Sequence, residues 1–206
     1  MTSRPLEIAE YRAIIDLLQN GFIREDNTVL TASGLPTRKA RCTPALGRLF
    51  RPNKQAALAL QLEASLGLRI GDVLALRVSN FKNGKLERVE DKTGKLQYRD
   101  INPAVYAHIK DYAIENELNH ADKLFSIGVR TVQRRLKNVV DYLGLSNIST
   151  HSFRKMYATF AYENSGNNIE LVKELLNHES IATTQRYIRV SQQAINAASK
   201  SVNFIE

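Results

Sequence analysis

The sequence predicts a mainly α-helical domain with one small three-stranded antiparallel sheet, an α+β arrangement. Apolar residues recur at helical spacing through most of the 206 residues. Residues 76–101 change instead to strand-like alternation, and the dipeptide Asn83-Gly84 within them is a strong signal for a tight hairpin. A chain of this length can bury one substantial core, so we expect a single domain over residues 1–206.

The first predicted element is a helix that begins at Pro5 and ends near Asn20. Proline is favoured at the first position of a helix, and Gly21 follows the last periodic apolar residue. Residues 24–54 then contain three of the five prolines of the chain and few periodic apolar positions. We therefore expect an irregular segment there.

This segment, residues 24–54, is also strongly basic. It holds seven basic and two acidic residues, which accounts for most of the formal net charge of +8. A solvated surface loop is the simplest explanation of such a run. The alternative is a strap along the phosphates of DNA. The basic residues are Arg24, Arg38, Lys39, Arg41, Arg48, Arg51 and Lys54.

A second helix is predicted over Lys54–Leu66, with Asn53 as its N-cap and Gly67 at its end. A short helical turn follows Arg69 and ends near Leu76. The cap and the glycine agree with each other, so the sequence specifies both ends of the helix Lys54–Leu66 well.

The small sheet is predicted to follow directly. Asn83-Gly84 joins its first two strands, and a second break at residues 91–95, which carries Lys92 and Lys95, joins the last two. The three predicted strands cover residues 78–81, 86–89 and 96–101.

The rest of the chain is predicted to be helical. Asn102 and Pro103 are a favourable N-cap and first-turn pair, and Thr150 can cap a later helix. The predicted helices cover residues 103–118, 129–143, 151–164 and 168–176, a short stretch after Ser180, and 191–202 within a C-terminal tail of residues 188–206.

Composition narrows the class of partner. A net charge of +8 favours a polyanion, because each neutralised phosphate releases condensed counterions. Cys42 is the only cysteine, which excludes an internal disulfide and a cysteine-based zinc site. No stretch approaches the roughly 20 apolar residues of a membrane-spanning helix. We expect a cytoplasmic, nucleoid-associated protein that does not contact a membrane.

The predicted helix 151–164 carries a basic pair opposite an apolar face. His151 and Arg154 are three residues apart, so their side chains are neighbours. Arginine holds an anion through two donors and histidine transfers protons near neutral pH, so the pair, with Lys155 adjacent, suits an anion. An ordinary polar helix surface is the alternative. The apolar face consists of Phe153, Met156, Tyr157 and Phe160.

A second candidate group follows the predicted helix 168–176. His178 lies just past the helix end, where Asn177 can adopt the left-handed conformation, and Tyr187 lies further along. Each residue also has a structural explanation. A histidine at a helix C-terminus is favoured by the macrodipole, and most tyrosines pack in cores.

These candidates occur in one order and in specific local contexts. Arg69, Lys92, His151, Arg154, His178 and Tyr187 lie within the stretches GLRIGDVLAL, DKTGK, THSFRKMYAT and LLNHESIATTQRYIRV. The stretches resemble the catalytic boxes of the tyrosine recombinase family, which includes phage integrases, chromosome-dimer resolvases and DNA invertases. The resemblance runs from about Pro5 to Tyr187, and it implies the fold of that family's catalytic domain.

The resemblance implies a covalent mechanism. Tyr187 would attack a phosphodiester, form a 3′-phosphotyrosyl link and release a 5′-hydroxyl. Arg69 and Arg154 would hold the non-bridging oxygens and stabilise the charge that develops at phosphorus. A tyrosine hydroxyl ordinarily has a pKa of about 10, so the attack needs a base, and His151 would act as that base.

The resemblance also assigns the remaining roles. Lys92 would protonate the leaving 5′-oxygen, although Lys95 is on the same predicted turn and could reach the site too. His178 would hydrogen-bond the phosphate, and Asp72 would support His151 or Arg69. The family usually has glycine where this chain has Asn177. Asparagine tolerates positive φ, so we expect the turn to be kept.

The partner implied by the resemblance is double-stranded DNA. The phosphotyrosyl bond conserves the energy of the phosphodiester, so the resemblance implies no ATP, no metal and no other cofactor. The C-terminal tail would either dock on a neighbouring protomer in a tetrameric synapse or fold onto its own core. The basic candidates for DNA binding are Arg38, Lys39, Arg41, Arg130, Arg134 and Arg135.

We therefore predict a site-specific DNA recombinase that acts in integration, excision or inversion. The chain begins near the first helix of the family's catalytic domain, so we expect the N-terminal core-binding domain of full-length integrases to be absent. A type IB topoisomerase-like enzyme and a DNA-binding relative without catalysis are the alternatives. Matches at all six catalytic positions argue against lost catalysis.

Overall fold

The computed structural model describes residues 3–24, 48–89 and 96–188, together with positions 196, 199 and 200. Its helices are α1 (Ile8–Asn20), α2 (Lys54–Leu66), α3 (Ile70–Leu74), α4 (Pro103–Glu115), α5 (Val129–Tyr142), α6 (Thr150–Asn164), α7 (Ile169–Leu175) and α8 (Ile181–Gln185). Its strands are β1 (Phe22–Arg24), β2 (Arg48–Phe50), β3 (Phe81–Lys82), β4 (Lys85–Val89) and β5 (Leu96–Asp100). The prediction of a mainly helical domain with a small antiparallel sheet is confirmed.

Helix α2 lies at the centre of the core, packed against α1, α3, α5 and α6. Residues 56–60 are all buried, so this helix is enclosed on every side. The Asn53 side chain accepts a hydrogen bond from the Ala56 amide at 2.8 Å, and Gly67 ends the helix with a φ of 60°. Both boundaries are where the sequence predicts them, and Arg69 lies two residues after the glycine.

The three-stranded sheet has the order β3-β4-β5, and Asn83 and Gly84 both adopt positive φ in its hairpin, as predicted. The predicted strand 78–81 is wrong over most of its length, because Val78–Asn80 is a turn of 3-10 helix and only Phe81–Lys82 pair with β4. The Arg77 amide donates to the Asn80 side-chain oxygen at 2.8 Å. Such local side-chain bonds compete with strand pairing.

The predicted irregular segment 24–54 includes strand residues in both of its described parts. Strands β1 and β2 pair antiparallel, with Phe22 opposite Phe50, and the two rings stack with centroids 4.6 Å apart. The sequence gives no signal for this pairing, because more than twenty residues separate two strands of three residues each. Arg38, Lys39 and Arg41 lie outside the described residues.

The helices of the second half follow the predicted order with small shifts. Helix α4 ends at Glu115 rather than 118. Helix α6 begins one residue early, because Ser149 rather than Thr150 is the N-cap and its amide donates to Ser152 Oγ at 3.1 Å. The predicted tail helix lies outside the described residues except at positions 196, 199 and 200, which are helical. None of the helices in the described ranges is long and apolar enough to cross a membrane.

Candidate active site

Helix α6 supplies an arginine that is completely buried. Arg154 is 0% exposed, and its Nη2 donates to the Leu176 carbonyl at 2.7 Å, just past the end of α7. The predicted division of α6 into an apolar and a polar face is therefore incomplete. Phe153 is buried as expected, but Phe160 is exposed, and the end of α7 covers the face that carries Arg154.

The turn after α7 brings His178 to this arginine. Asn177 has a φ of 54°, so asparagine adopts the left-handed conformation that the sequence predicts. His178 is buried, with its Nε2 3.3 Å from Arg154 Nη2 and its Nδ1 3.0 Å from Thr184 Oγ1. Because a guanidinium can only donate, this arrangement makes Nε2 the acceptor and Nδ1 the donor to Thr184.

Tyr187 lies nine residues after His178, just past the end of α8, and it also contacts this group. Its ring centroid lies 4.7 Å from that of His178, at an interplanar angle of 65°. The Arg154 Cζ atom lies 6.0 Å from the Tyr187 centroid. The phenol ring is half-buried against a small apolar cluster of Ala158, Val172 and Leu176. Helices α6 and α7 thus bring the predicted Arg154, His178 and Tyr187 together.

Lys155 is an additional cation at this group. The sequence indicated it only as a neighbour of the basic pair, and it was not among the predicted catalytic residues. Its ammonium lies 5.6 Å from the Tyr187 ring centroid and donates to the Ser3 carbonyl. Burial lowers the pKa of Lys155, because desolvation disfavours the charged amine. The only sequence signal was its position next to Arg154, which does not tell which way a helical side chain faces.

Arg69 lies at the start of α3 beside a buried acid. Its Nη1 is 3.9 Å from one carboxylate oxygen of Asp72, whose other oxygen is 3.1 Å from Arg88 Nη2. Arg88 also donates to the Asp72 backbone carbonyl. The arrangement fits the prediction that Asp72 supports Arg69. Arg88 was not predicted, although it follows Leu86 by two residues on β4 and therefore shares that buried face.

Of the remaining predicted catalytic residues, the structure describes His151 but not Lys92. His151 is exposed in the first turn of α6, one turn before Arg154. Lys92 and Lys95 lie outside the described residues, so the choice between them stays a prediction.

A buried acid on α2 was also missed. Glu63 is 0% exposed, and its carboxylate lies within reach of the Ile70 amide. Desolvation raises its pKa well above the usual value, and the positive charge of Arg154 opposes that shift. An acid within an apolar helix gives no sequence signal that it will lie near the predicted catalytic residue Arg154.

The predicted basic residues of α5 form part of one surface. Arg130 and Arg134 are exposed, whereas Val132 and Leu136 on the opposite face are buried. Arg135 is half-buried, and its Nη1 donates to the Arg51 carbonyl at 3.4 Å. Arg130 and Arg134 therefore remain available to an anionic partner, while Arg135 also ties α5 to the residue after β2.

Comparisons with known proteins identify the family of this chain. The pattern of the Phage integrase family matches residues 50–194. The chain is 30% identical over 159 residues to the probable integrase/recombinase YoeC of Bacillus subtilis (strain 168), covering 74% of this chain and 87% of that protein. It is 32% identical over an alignment of 214 residues to the tyrosine recombinase XerC of Chromohalobacter salexigens, covering 92% of this chain and 71% of that protein.

A solved structure shares the fold. The XerH site-specific recombinase bound to palindromic difH substrate, in a post-cleavage complex, matches with a TM-score of 0.64 and 19% sequence identity. The match covers 95% of this chain and 52% of that chain. The chain likewise spans only about half of some curated relatives, 52% of one and 48% of another.

Proposed function

Because this chain belongs to the phage integrase family, whose members are tyrosine recombinases, we propose that it cleaves and rejoins DNA at specific sites through Tyr187. The observation that carries the proposal is the convergence of the Tyr187 ring, His178 and the buried Arg154. A phenol close to a guanidinium and an imidazole suits transfer of a phosphoryl group onto its oxygen.

The proposed step is an in-line transfer at phosphorus. A bond forms between the Tyr187 oxygen and phosphorus while the bond from phosphorus to the 5′-oxygen breaks. The phenol proton passes to His151, and the 5′-oxygen takes a proton from Lys92. Rejoining is the reverse reaction, so the energy of the phosphodiester is kept in the phosphotyrosyl link and neither ATP nor a metal ion is required.

Arg69 and Arg154 would bind the non-bridging oxygens during this step. The bond from Arg154 to the Leu176 carbonyl and its complete burial restrict the guanidinium before DNA arrives. Donors that are already oriented pay little reorganisation cost in the transition state. Asp72 would orient Arg69 in the same way, through their 3.9 Å contact.

His178 would bind the phosphate after a change of tautomer. A phosphate oxygen between Arg154 Nη2 and His178 Nε2 needs a donor from each, so the imidazole proton would move to Nε2. The Thr184 hydroxyl lies 3.0 Å from Nδ1 and can donate as well as accept. Thr184 therefore supports either tautomer, which suits a residue that must bind and release a phosphate.

Double-stranded DNA is the proposed partner. The net charge of +8 and the exposed Arg130 and Arg134 on α5 support an electrostatic contribution to DNA binding. The XerH structure is a complex with a DNA site, as its description states. Self-association of several protomers on DNA through residues 188–206 is part of the proposal.

Trapping with a nicked substrate tests the function. A nick beside the cleavage point lets the released fragment diffuse away, so a covalent protein–DNA adduct accumulates. We expect the wild-type chain to give a denaturation-resistant adduct, and Tyr187→Phe to bind the same DNA but give none. Tyr162→Phe is the matched control, because Tyr162 packs in the same apolar cluster as Tyr187. Equal adduct formation by Tyr187→Phe and wild type would contradict the proposal.

A further inference from the structure

Arg99 is an arginine on the buried face of the small sheet. It lies on β5 opposite Leu86 of β4, which is 0% exposed, so the two side chains share one face. Its neighbours Tyr98 and Asp100 point to the other face and are exposed. A charged group that faces inward from a strand must be compensated by partners.

The partners of Arg99 are the ends of two helices. Its Nη1 donates to the Leu175 carbonyl at 2.9 Å, and its Nη2 donates to the Leu66 carbonyl. Leu66 is the last residue of α2 and Leu175 is the last residue of α7. Carbonyls at a helix C-terminus lack partners within the helix and carry negative partial charge. One guanidinium thus caps both helices.

Tyr157 of α6 holds the guanidinium in this position. The Arg99 Cζ atom lies 5.7 Å from the Tyr157 ring centroid, and Nη1 lies 3.4 Å from the Tyr157 hydroxyl. The same ring packs over Gly67, where an added Cβ would lie 2.3 Å from it. Stacking and planar two-point donation are properties of arginine that lysine does not share.

Each capped carbonyl comes shortly before a proposed catalytic residue. The chain passes from Leu66 through Gly67 and Leu68 to Arg69, and from Leu175 through Leu176 and Asn177 to His178. Arg154 holds the carbonyl that follows the one held by Arg99, Leu176 at 2.7 Å. Two arginines therefore fix consecutive carbonyls at the end of α7, from the sheet and from α6.

We propose that Arg99 is a positioning residue for strand cleavage, which fixes the segment with Arg69 relative to the segment with His178 and Tyr187. It touches no reacting atom in this role. The inference rests on the proposed function.

The test is single-turnover cleavage of the nicked substrate at saturating protein, with DNA affinity measured separately. Displacements of about 1 Å near a reacting group can cost up to about 100-fold in rate. We expect Arg99→Met to cleave about 10- to 100-fold more slowly than wild type, with DNA affinity changed less than about threefold. Arg99→Lys keeps the charge but not the planar fork, so we expect it to restore only part of the rate.

Arg77→Met is the matched control. Arg77 also donates from Nη1 to a backbone carbonyl, that of Ala121, on another part of the surface. We expect this variant to be less stable than wild type without slower cleavage. Amide hydrogen exchange should quicken at residues 176–187 in Arg99→Met and not in Arg77→Met, because only the first variant releases the end of α7.

The inference is wrong if Arg99→Met cleaves within about twofold of wild type, or if Arg77→Met loses as much rate. If Arg99→Met does not fold, Arg99→Lys decides, and a rate equal to wild type with unchanged exchange at residues 176–187 overturns the proposal. Absence of an adduct from the wild-type chain would instead refute the proposed function, and this inference with it.

Discussion

Buried charges are the unusual feature of individual residues near Arg154. A buried ionised group is destabilising unless it is compensated by partners, and this domain encloses both Glu63 and Arg154 with 0% exposure. The negative charge of an ionised Glu63 would partly compensate the positive charge of Arg154. Desolvation of the carboxylate is the larger effect, however, and it raises the pKa of Glu63. The stability of the domain should therefore depend on the protonation of this single carboxyl group.

The pH dependence can be isolated with Glu63→Gln. The folded pKa of Glu63 is raised, so the folded state holds this proton more tightly than the unfolded chain. That contribution to stability is fully present below the unfolded value of about 4.5 and is lost as the pH rises through the folded pKa. We expect the free energy of unfolding of the variant to match that of wild type below about pH 4.5. As the pH rises above that value, we expect the variant to become progressively more stable than wild type. Urea unfolding at several pH values measures this, and a difference that does not change with pH would refute it.

Sequence order predicted the proposed catalytic group better than it predicted the residues that support it. Arg154, His178 and Tyr187 occur in recognisable stretches, and the fold brings them together. The sequence indicated Lys155 only as a neighbour of the basic pair and gave no indication of Arg99, because only tertiary packing determines that each faces the proposed site. A charged residue in a helix or strand is usually exposed, so local pattern argues against the roles that such residues take here.

At the scale of elements, local capping signals gave the correct boundaries where they were strong. Helix α2 begins after Asn53 and ends at Gly67, as predicted. In contrast, most of the strand predicted at 78–81 is a 3-10 turn, in which the Asn80 side chain accepts a hydrogen bond from the Arg77 amide. The pairing of β1 with β2 was missed because it depends on two distant segments that meet through Phe22 and Phe50. Long-range pairing has no local signature in the chain.

The end of α2 gives a prediction at this scale. Gly67 combines a φ of 60° with a Tyr157 ring 2.3 Å from the position of an added Cβ. Gly144 has a similar φ of 66° but no heavy atom within 4 Å of that position. The left-handed conformation costs about 1–2 kcal/mol for a residue with a Cβ, and overpacking adds roughly 1–3 kcal/mol. We expect Gly67→Ala to lower the free energy of unfolding by about 2–5 kcal/mol and Gly144→Ala by only about 1–2 kcal/mol. Equal losses in chemical denaturation would contradict the contact with Tyr157.

At the scale of the whole molecule, one core carries a proposed active site built from separate segments. Arg69 follows α2, Arg154 lies on α6, and His178 and Tyr187 lie beyond α7. Helix α2 packs directly against α3 and α6, so the two arginines are held by one framework. The small cluster of Ala158, Val172 and Leu176 anchors the Tyr187 segment separately from the main core.

The identity of the residue that becomes linked to DNA tests the central claim most directly. The adduct trapped on a nicked duplex can be digested with protease and nuclease, and the modified peptide identified by mass spectrometry. We predict a phosphotyrosyl linkage at Tyr187 through a 3′-phosphate, and no modification of Tyr157 or Tyr162. A linkage at any other residue, or a wild-type chain that binds its DNA site yet never forms a covalent bond to it, would contradict the account.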